Sequence, residues 1–256
     1  MLTPRRLSSS EIEAAALLLV ASRRTGRRLD GLPAPVRPEC VEDGLAVQDK
    51  VHEILGDEVG AIKVNAHVSG SIFRGIVSKS RIFESPAVLS AGEAGLMGIE
   101  AEIAFVFPDG VPARTTPYSY DEVAEIAEAM PVFDIVDTRL NDFLSRTQFE
   151  RVADSLNAGA LVLSPPIPNW RKVDFRLVEV VLWFDDEVVV RQTGDHPWGD
   201  PLLPALQFIN SGLDKGLPPQ TVLTTGSFTG FKIAKPRQKI RAEFADLGSV
   251  EVYFST

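Results

Sequence analysis

The segment Gly98-Ile99-Glu100-Ala101-Glu102-Ile103-Ala104-Phe105-Val106-Phe107 narrows most what this chain can become. It reads as a β-strand, on which residues two apart share a face. One face then carries Ile99, Ala101, Ile103, Phe105 and Phe107, all apolar. The opposite face starts with Glu100 and Glu102 and continues with Ala104 and Val106, so it too has the composition of a buried surface. Two neighbouring carboxylates repel each other and lose hydration on burial, which is unfavourable without compensation. A hard divalent cation such as Mg²⁺ or Mn²⁺ is one compensation. A strand end that surfaces, with both glutamates solvated on a wet edge, is the other, and it is the commoner arrangement.

A second segment bears on that choice. In Pro131-Val132-Phe133-Asp134-Ile135-Val136-Asp137-Thr138-Arg139-Leu140 a lone acid, Asp134, sits at the centre of an apolar run with the makeup of a core strand. Three carboxylates from two strands would half-fill the octahedron that Mg²⁺ prefers and leave positions for water and substrate oxygens. Asp137 and Arg139 follow, and are expected to form a surface ion pair. Lys63 interrupts the apolar run Ala61–Val64, and a buried lysine needs an anion or a shifted pKa. From these residues alone it reads as an edge residue.

Order along the chain predicts two regions. Residues 1–57 read as a helical region, with helices over Ser9–Arg24 and Cys40–Leu55 joined by a Pro/Gly-rich connection. A serine at positions 8–10 followed by Glu11 and Glu13 supplies an N-cap and first-turn acids. Residues 58–256 read as a mixed-β domain, with strands at Ala61–Val64, Ile99–Phe107, Phe133–Val136, Gly159–Leu163, Leu177–Phe184, Glu187–Gln192, Val222–Thr225, Lys239–Phe244 and Ser249–Phe254. Asp185-Asp186 marks a hairpin turn, and helices are expected over Ser119–Ala129, from Thr138 to about Ser155, and over Pro201–Leu213. That mixture suits an α+β fold.

Composition limits the partners. A net charge of −9, with no basic cluster interleaved with aromatics, argues against nucleic acid. Arg23, Arg24, Arg27 and Arg28 fall at a helix end, where cations favour the dipole. The apolar run Ala14–Val20 is too short to span a membrane and lies inside an amphipathic helix. The single cysteine, Cys40, allows no internal disulfide, and the protein is expected in the reducing cytoplasm. His52, His67 and His196 form no ligand motif, with His67 the one nearest Lys63 in sequence.

Taken together and in order, these segments resemble the 2-keto-4-pentenoate hydratase and 4-oxalocrotonate decarboxylase family of the fumarylacetoacetate hydrolase superfamily. The Glu-x-Glu strand is matched at Glu100 and Glu102, and the third acid at Asp134 in Phe133-Asp134-Ile135-Val136-Asp137-Thr138-Arg139. The family's helix containing a Tyr/Leu-Ala-x-Gln stretch is matched by Asp43-Gly44-Leu45-Ala46-Val47-Gln48, and its Gly-x-Lys-x strand by Gly60-Ala61-Ile62-Lys63-Val64. Its C-terminal signature is matched by Thr225-Gly226-Ser227-Phe228-Thr229-Gly230, Arg241-Ala242-Glu243-Phe244 and Leu247-Gly248-Ser249-Val250-Glu251-Val252.

The resemblance implies a rolled mixed-β structure with an N-terminal helical cap and self-association into a homo-oligomer. It implies Mg²⁺ or Mn²⁺ on Glu100, Glu102 and Asp134, a catalytic Lys63, and Gly226 with Ser227 holding a substrate carboxylate. The reaction implied is hydration of a small 2-hydroxy-2,4-dienoate in aromatic catabolism. Decarboxylation of a 4-oxalocrotonate-type acid, C–C hydrolysis of an acylpyruvate, and an impaired metal-holding homologue are the alternatives.

Three departures stand out. Asp134 is shorter than the glutamate usual in hydratases, and matches the hydrolase branch. Ser71-Ile72-Phe73-Arg74-Gly75 lacks the acid often found before the family's aromatic-Gly pair. Lys235-Pro236-Arg237-Gln238 stands where Lys-Pro-Gly-Asp is usual, a change expected to affect loop geometry.

Overall fold

The computed structural model describes residues 5–66, 71–90 and 92–256. Helix α1 (Ser9–Thr25) opens with a capping box in which Ser8 and Glu11 satisfy each other's backbone N–H, and it closes at Gly26 with φ +68°. Helix α2 (Val41–Leu55) starts at Cys40 and closes at Gly56 in the same left-handed conformation. The two bury Ala15, Ala16, Leu19 and Val20 against Val47 and Val51, with Leu140 and Ala153 completing this small core. Among the described residues no helix is long and apolar enough to cross a membrane.

The strands and later helices are, in order, β1 (Val59–Ala66), β2 (Ile72–Ser78), β3 (Ile82–Glu84), β4 (Ala87–Ser90), β5 (Gly98–Phe107), α3 (Tyr120–Ile126), β6 (Glu128–Val136), α4 (Gln148–Ala153) and β7 (Ala158–Leu163). They continue with β8 (Glu179–Phe184), β9 (Glu187–Thr193), α5 (Leu202–Ser211), β10 (Thr221–Ser227), β11 (Lys232–Ile233), β12 (Lys239–Phe244) and β13 (Gly248–Ser255). One sheet runs β2-β1-β10-β5-β6-β7-β3, with β11 also pairing β5, and a second runs β4-β13-β12-β8-β9. The pairs β1–β10, β3–β7 and β4–β13 are parallel within otherwise antiparallel ladders, so both sheets are mixed and the fold is α+β.

The apolar face of β5 is the floor of the core. Ile99, Ala101, Ile103, Phe105 and Phe107 are all fully buried, and they share one cluster with Phe133 of β6, Phe244 of β12 and Phe254 of β13. Each fully buried phenylalanine contributes roughly 1.5–3 kcal/mol. Trp170 packs edge-on to Phe105 at 5.3 Å and donates its indole N–H to the carbonyl of Ala127.

Position in the sheet removes the wet-edge alternative for the glutamates. β5 lies between β10 and β6, covered on both sides by strands. Other expectations need correction. The helix expected over Ser119–Ala129 stops at Ile126, because Glu128 and Ala129 already belong to β6. The helix expected from Thr138 to Ser155 is reduced to α4 and short 3₁₀ turns at Phe143–Ser145 and Ser155–Asn157. Strands β2, β3, β4 and β11 were not anticipated, being short or interrupted by glycine and charge.

Candidate active site

Strand order β1-β10-β5-β6 is what assembles the site. Glu100 of β5 stands directly opposite Asp134 of β6, and Glu102 is the next residue on the same face. One carboxylate oxygen from each of Glu100, Glu102 and Asp134 lies within 4.8 Å of the other two. On the other flank β10 runs in register with β5 up to Thr224, then bulges before Ser227 meets Glu102. The bulge turns the backbone N–H of Gly226 toward Glu102 Oε2, at 3.1 Å. Gly226 has φ +129°, and an added Cβ would come within 3.2 Å of His196 Nε2, so only glycine fits here without strain.

Lys63 arrives from β1, whose register with β10 pairs it with Thr224. Its Nζ lies 2.5 Å from Asp134 Oδ2 and donates to the carbonyl of Leu156 at 3.2 Å. That carbonyl is presented by an unusual turn, in which Ser155, Leu156 and Asn157 have φ values of 53°, 51° and 59°. Three consecutive left-handed non-glycine residues hold strain of the kind found at functional sites. Gly75 of β2 admits the turn, since a Cβ there would sit 2.3 Å from the carbonyl oxygen of Ser155. The segment that lacks the family's acid thus has a packing role. Its Arg74 pairs with Asp49 at 2.5 Å and donates to Gln48.

Burial dominates the electrostatics. It raises the carboxyl of Glu100 to about 7, with Asp134 pushing the same way and Lys63 opposing. Burial, then the charges of Asp134 and Glu100, carry Glu102 higher, to about 8, against the pull of Lys63 and the Gly226 amide. Asp134 is raised as well, again by burial, with Lys63 opposing. Burial alone would lower the ammonium of Lys63, but the three carboxylates outweigh it and hold the group above its ordinary value. Lys63 and Asp134 form a close ion pair without the alignment of a hydrogen bond, and neither Asp134 oxygen has a hydrogen-bond partner.

These residues fit a divalent cation. When all three carboxylates are ionised, one ammonium leaves two negative charges over, which one such ion would balance. Hard oxygen donors, two of them orphaned on Asp134, are the ligands Mg²⁺ and Mn²⁺ favour.

The cavity over this cluster has a volume of about 550 Å³. Its walls bring Lys63, Glu100 and Glu102 together with Gly226 and Ser227, within the size range of small-molecule pockets. Ser227 Oγ accepts from the amide of Thr229 at 3.2 Å and remains partly exposed to the cavity. The Gly226 amide is committed to Glu102, so in this arrangement it orients a carboxylate of the triad.

Residues singled out elsewhere divide differently. Gln48 is a buried brace, donating to the carbonyls of Arg74 and Val152 and so tying α2 to β2 and α4. Asp137 and Arg139 form no pair with each other. Asp137 meets Arg28 at 3.2 Å, whereas Arg139 is buried on Asp154. Cys40 caps α2, and His52 lies in that helix's last turn. His67 lies outside the described residues. His196, with no motif around it in sequence, stands behind Gly226: Nε2 meets the carbonyl of Thr225 and Nδ1 accepts from the amide of Trp198, each at 3.2 Å. Burial lowers its pKa to about 4, so it is a neutral imidazole with both nitrogens engaged. Sequence reading also passed over Arg151, Phe143 and Trp198, which line the cavity from loops and a short helix that periodicity does not reveal.

No family model matches the chain. A curated relative, the 2-keto-4-pentenoate hydratase of Paraburkholderia phymatum, is 28% identical over 159 residues, a match spanning 61% of this chain and 60% of the relative's length. Among solved structures, 4-oxalocrotonate decarboxylase from Pseudomonas putida G7, complexed with magnesium and adipate, superposes with a TM-score of 0.83 at 20% identity, covering 98% of this chain and 100% of that one. The maleylpyruvate hydrolase from Sphingobium sp. SYK-6, complexed with manganese(II) and pyruvate, gives 0.52 at 18% identity over 76% of this chain and 69% of that one. The chain is thus similar over part of its length to a curated 2-keto-4-pentenoate hydratase, and over nearly all of its length it shares the α+β fold of 4-oxalocrotonate decarboxylase.

Proposed function

We propose that this protein is a divalent-metal-dependent hydratase of a 2-hydroxy-2,4-dienoate, of the 2-keto-4-pentenoate type, acting in the breakdown of aromatic compounds. The observation that carries this reading is the buried triad of Glu100, Glu102 and Asp134 with Lys63 on Asp134, its two glutamates and Lys63 lining one cavity with Ser227. The name of the curated relative supports hydration as the reaction.

Glu100, Glu102 and Asp134 would hold Mg²⁺ or Mn²⁺. Bound there, the cation supplies Lewis acidity that favours negative charge developing on a 2-oxo acid's oxygen. With Asp134 committed to it, Lys63 keeps the burial that disfavours its charge and loses an anion that favours it. Lys63 would then give up a proton more readily than it does beside a free Asp134, the role that ketonisation of a dienol needs. The carbonyl of Leu156 fixes where that proton is delivered. Ser227 Oγ offers a donor to the substrate carboxylate, and Gly226 keeps Glu102 turned toward the site.

Decarboxylation of a 4-oxalocrotonate-type acid would use the same residues. Acylpyruvate hydrolysis requires a base to activate water, and His196, with both nitrogens engaged, does not offer one.

The test is turnover of 2-hydroxypenta-2,4-dienoate by Mg²⁺-loaded protein. Its ultraviolet absorbance should disappear without release of carbon dioxide, and excess chelator should stop the reaction. Glu102→Gln should lower metal affinity and activity together, with added Mg²⁺ restoring part of the rate. Carbon dioxide released from 4-oxalocrotonate would move the assignment to decarboxylase. Full activity after chelation, with Glu102→Gln silent, would remove the metal from the reaction.

A further inference from the structure

The arginines at the end of α1 do more than answer its dipole. Arg23 on α1, Arg28 just after it and Arg81, on the turn between β2 and β3, line a second cavity of about 620 Å³. That cavity shares no lining residue with the one over the triad. Most of the charge around it is matched. Arg28 meets Asp137 at 3.2 Å and donates from Nε to the carbonyl of Thr138. Arg81 donates to the carbonyls of Gly159 and Glu93, each at 3.1 Å. Arg139, also in the wall, is taken up by Asp154. Arg23 is the exception: its half-buried side chain has no ion pair and no hydrogen bond among the described residues.

That arrangement is unfavourable as it stands. Repulsion from Arg139, then burial, lowers the pKa of Arg23 to about 9, and Asp154 and Asp137 offset this only in part. The group is still charged at neutral pH. The helix dipole accounts for a cation in the last turn, which the exposed Arg24 already supplies, but not for one held against the repulsion of other arginines. A charged donor kept without an acceptor is retained where something else supplies one. Free donors remain on three side chains. Besides the whole fork of Arg23, Arg28 leaves Nη1 unused among the described residues, and Arg81 Nη1 lies 3.8 Å from Glu93 Oε1, beyond hydrogen-bond reach. A carboxylate has two oxygens, which one guanidinium fork satisfies, whereas a phosphoryl group offers three to several forks at once.

We propose that this cavity is an anion site for a phosphoryl group, of free phosphate or of a small phosphate ester, with Arg23 as its principal ligand and Arg28 and Arg81 beside it. The site stands whether or not the triad performs the reaction proposed above.

Calorimetric titration of the full chain with inorganic phosphate should show a saturable site in Mg²⁺-free buffer that persists when Mg²⁺ is added. Its independence of Mg²⁺ separates it from any metal on the triad. Arg23→Met, which keeps the apolar stem, should weaken phosphate binding about 10- to 100-fold, the scale of one charge-assisted fork. Phosphate should raise the melting temperature of the wild type and leave that of Arg23→Met nearly unmoved. Arg23→Lys keeps the charge without the fork and should retain part of the affinity, and it carries the test if the methionine variant does not fold. Glycerol 3-phosphate binding more tightly than phosphate would identify the ligand as an ester, and the reverse would identify the free ion. Acetate binding as tightly as phosphate would overturn the phosphoryl assignment. No saturable phosphate binding by the wild type, or undiminished binding by Arg23→Met, would overturn the site.

Discussion

Arg139 and Asp154 are 4% and 3% exposed, as deeply buried as Glu102 and Asp134 at 3% and 0%, yet the two clusters are built on opposite rules. Around Asp154 every charge is met. Its Oδ2 accepts from Thr138 Oγ1 at 2.8 Å and from the amide of Arg139 at 3.0 Å, while its Oδ1 takes Arg139 Nε. The remaining arms of Arg139 donate to the carbonyls of Ala158 and Asp154. The triad has three carboxylates, one lysine, a single amide on Glu102 and orphaned oxygens on Asp134. A closed network fixes the chain segment that follows β6, whereas an open one leaves affinity for whatever completes it. Burial by itself therefore does not mark a functional charge. The unmet valence does.

The largest expected effect lies in the open cluster. Lys63→Met should preserve folding, because the apolar stem is retained, and should hold or strengthen metal binding by removing a competing cation. Turnover should fall by about two to four orders of magnitude, the range for losing one acid–base or electrostatic group. Steady-state kinetics with a metal titration reads both. Near-normal turnover would make Lys63 a mere counter-ion and bring the two clusters under one rule.

Breaking the closed cluster should do the reverse. Asp154→Ala leaves the Arg139 guanidinium buried without its anion, and stability should fall by about 3–5 kcal/mol with Mg²⁺ giving no selective rescue. Chemical denaturation with and without Mg²⁺ measures this. A loss below about 1 kcal/mol would mean that water reaches Arg139 and that the pair behaves as a surface bridge.

Acid–base behaviour separates the clusters without mutation. Glu100 and Glu102 have folded-state values of about 7 and 8, raised from 4.5, so the stability they contribute is complete below pH 4.5 and is lost as pH climbs through 7 and 8. His196 has the opposite sign. Its value of about 4 lies below the ordinary 6.5, so its contribution is present above pH 6.5 and is lost as pH falls through 4. Between pH 4.5 and 6.5 the two glutamates outweigh the one imidazole, so on these groups metal-free protein should be most stable near pH 4.5. Its melting temperature should decline by several degrees toward pH 8, since a tenfold difference in proton affinity between folded and unfolded chain is worth about 1.4 kcal/mol. Because a cation needs ionised ligands, the rise in melting temperature on adding Mg²⁺ should grow over the same interval. Parallel melting curves at pH 6 and 8, with and without metal, would show that the carboxylates are not the buried acids described.

Part of this contrast was legible in the sequence. Alternation along Gly98–Phe107 exposed both the core face and the misplaced glutamates, and a lone acid among Val132, Phe133, Ile135 and Val136 located Asp134. Lys63 was visible as a charge in an apolar run, although its partner was fixed only by strand order, which periodicity does not encode. Arg139 was misjudged as a surface residue because its partner Asp154 lies fifteen residues further on, beyond α4, a pairing that periodicity does not encode. The helix expected from Thr138 forms only over Gln148–Ala153, because the residues before it adopt loop and 3₁₀ conformations. His196 was passed over because its place behind Gly226 depends on the β10 bulge.

The smallest effect is a control outside both clusters. In Lys235-Pro236-Arg237-Gln238 the side-chain oxygen of Gln238 accepts from the amide of Lys235 at 2.9 Å, the turn-closing role suited to the aspartate usual in the family. Arg237 occupies the usual glycine's place at φ 65°, exposed and without a side-chain hydrogen bond in the described structure. A left-handed arginine carries roughly 1–2 kcal/mol of backbone strain, part of which glycine would return as extra freedom in the unfolded chain. Arg237→Gly should therefore raise stability by about 0.5–1 kcal/mol, a melting temperature higher by about 1–4 °C. The amide of residue 237 still donates to the carbonyl of Phe254, so β13 keeps its anchor. Turnover, metal affinity and the Mg²⁺-dependent rise in melting temperature should all be unchanged. A change in any of them would mean that the loop communicates with the open cluster, and that the unmet charges there are not a self-contained device of β1, β5, β6 and β10.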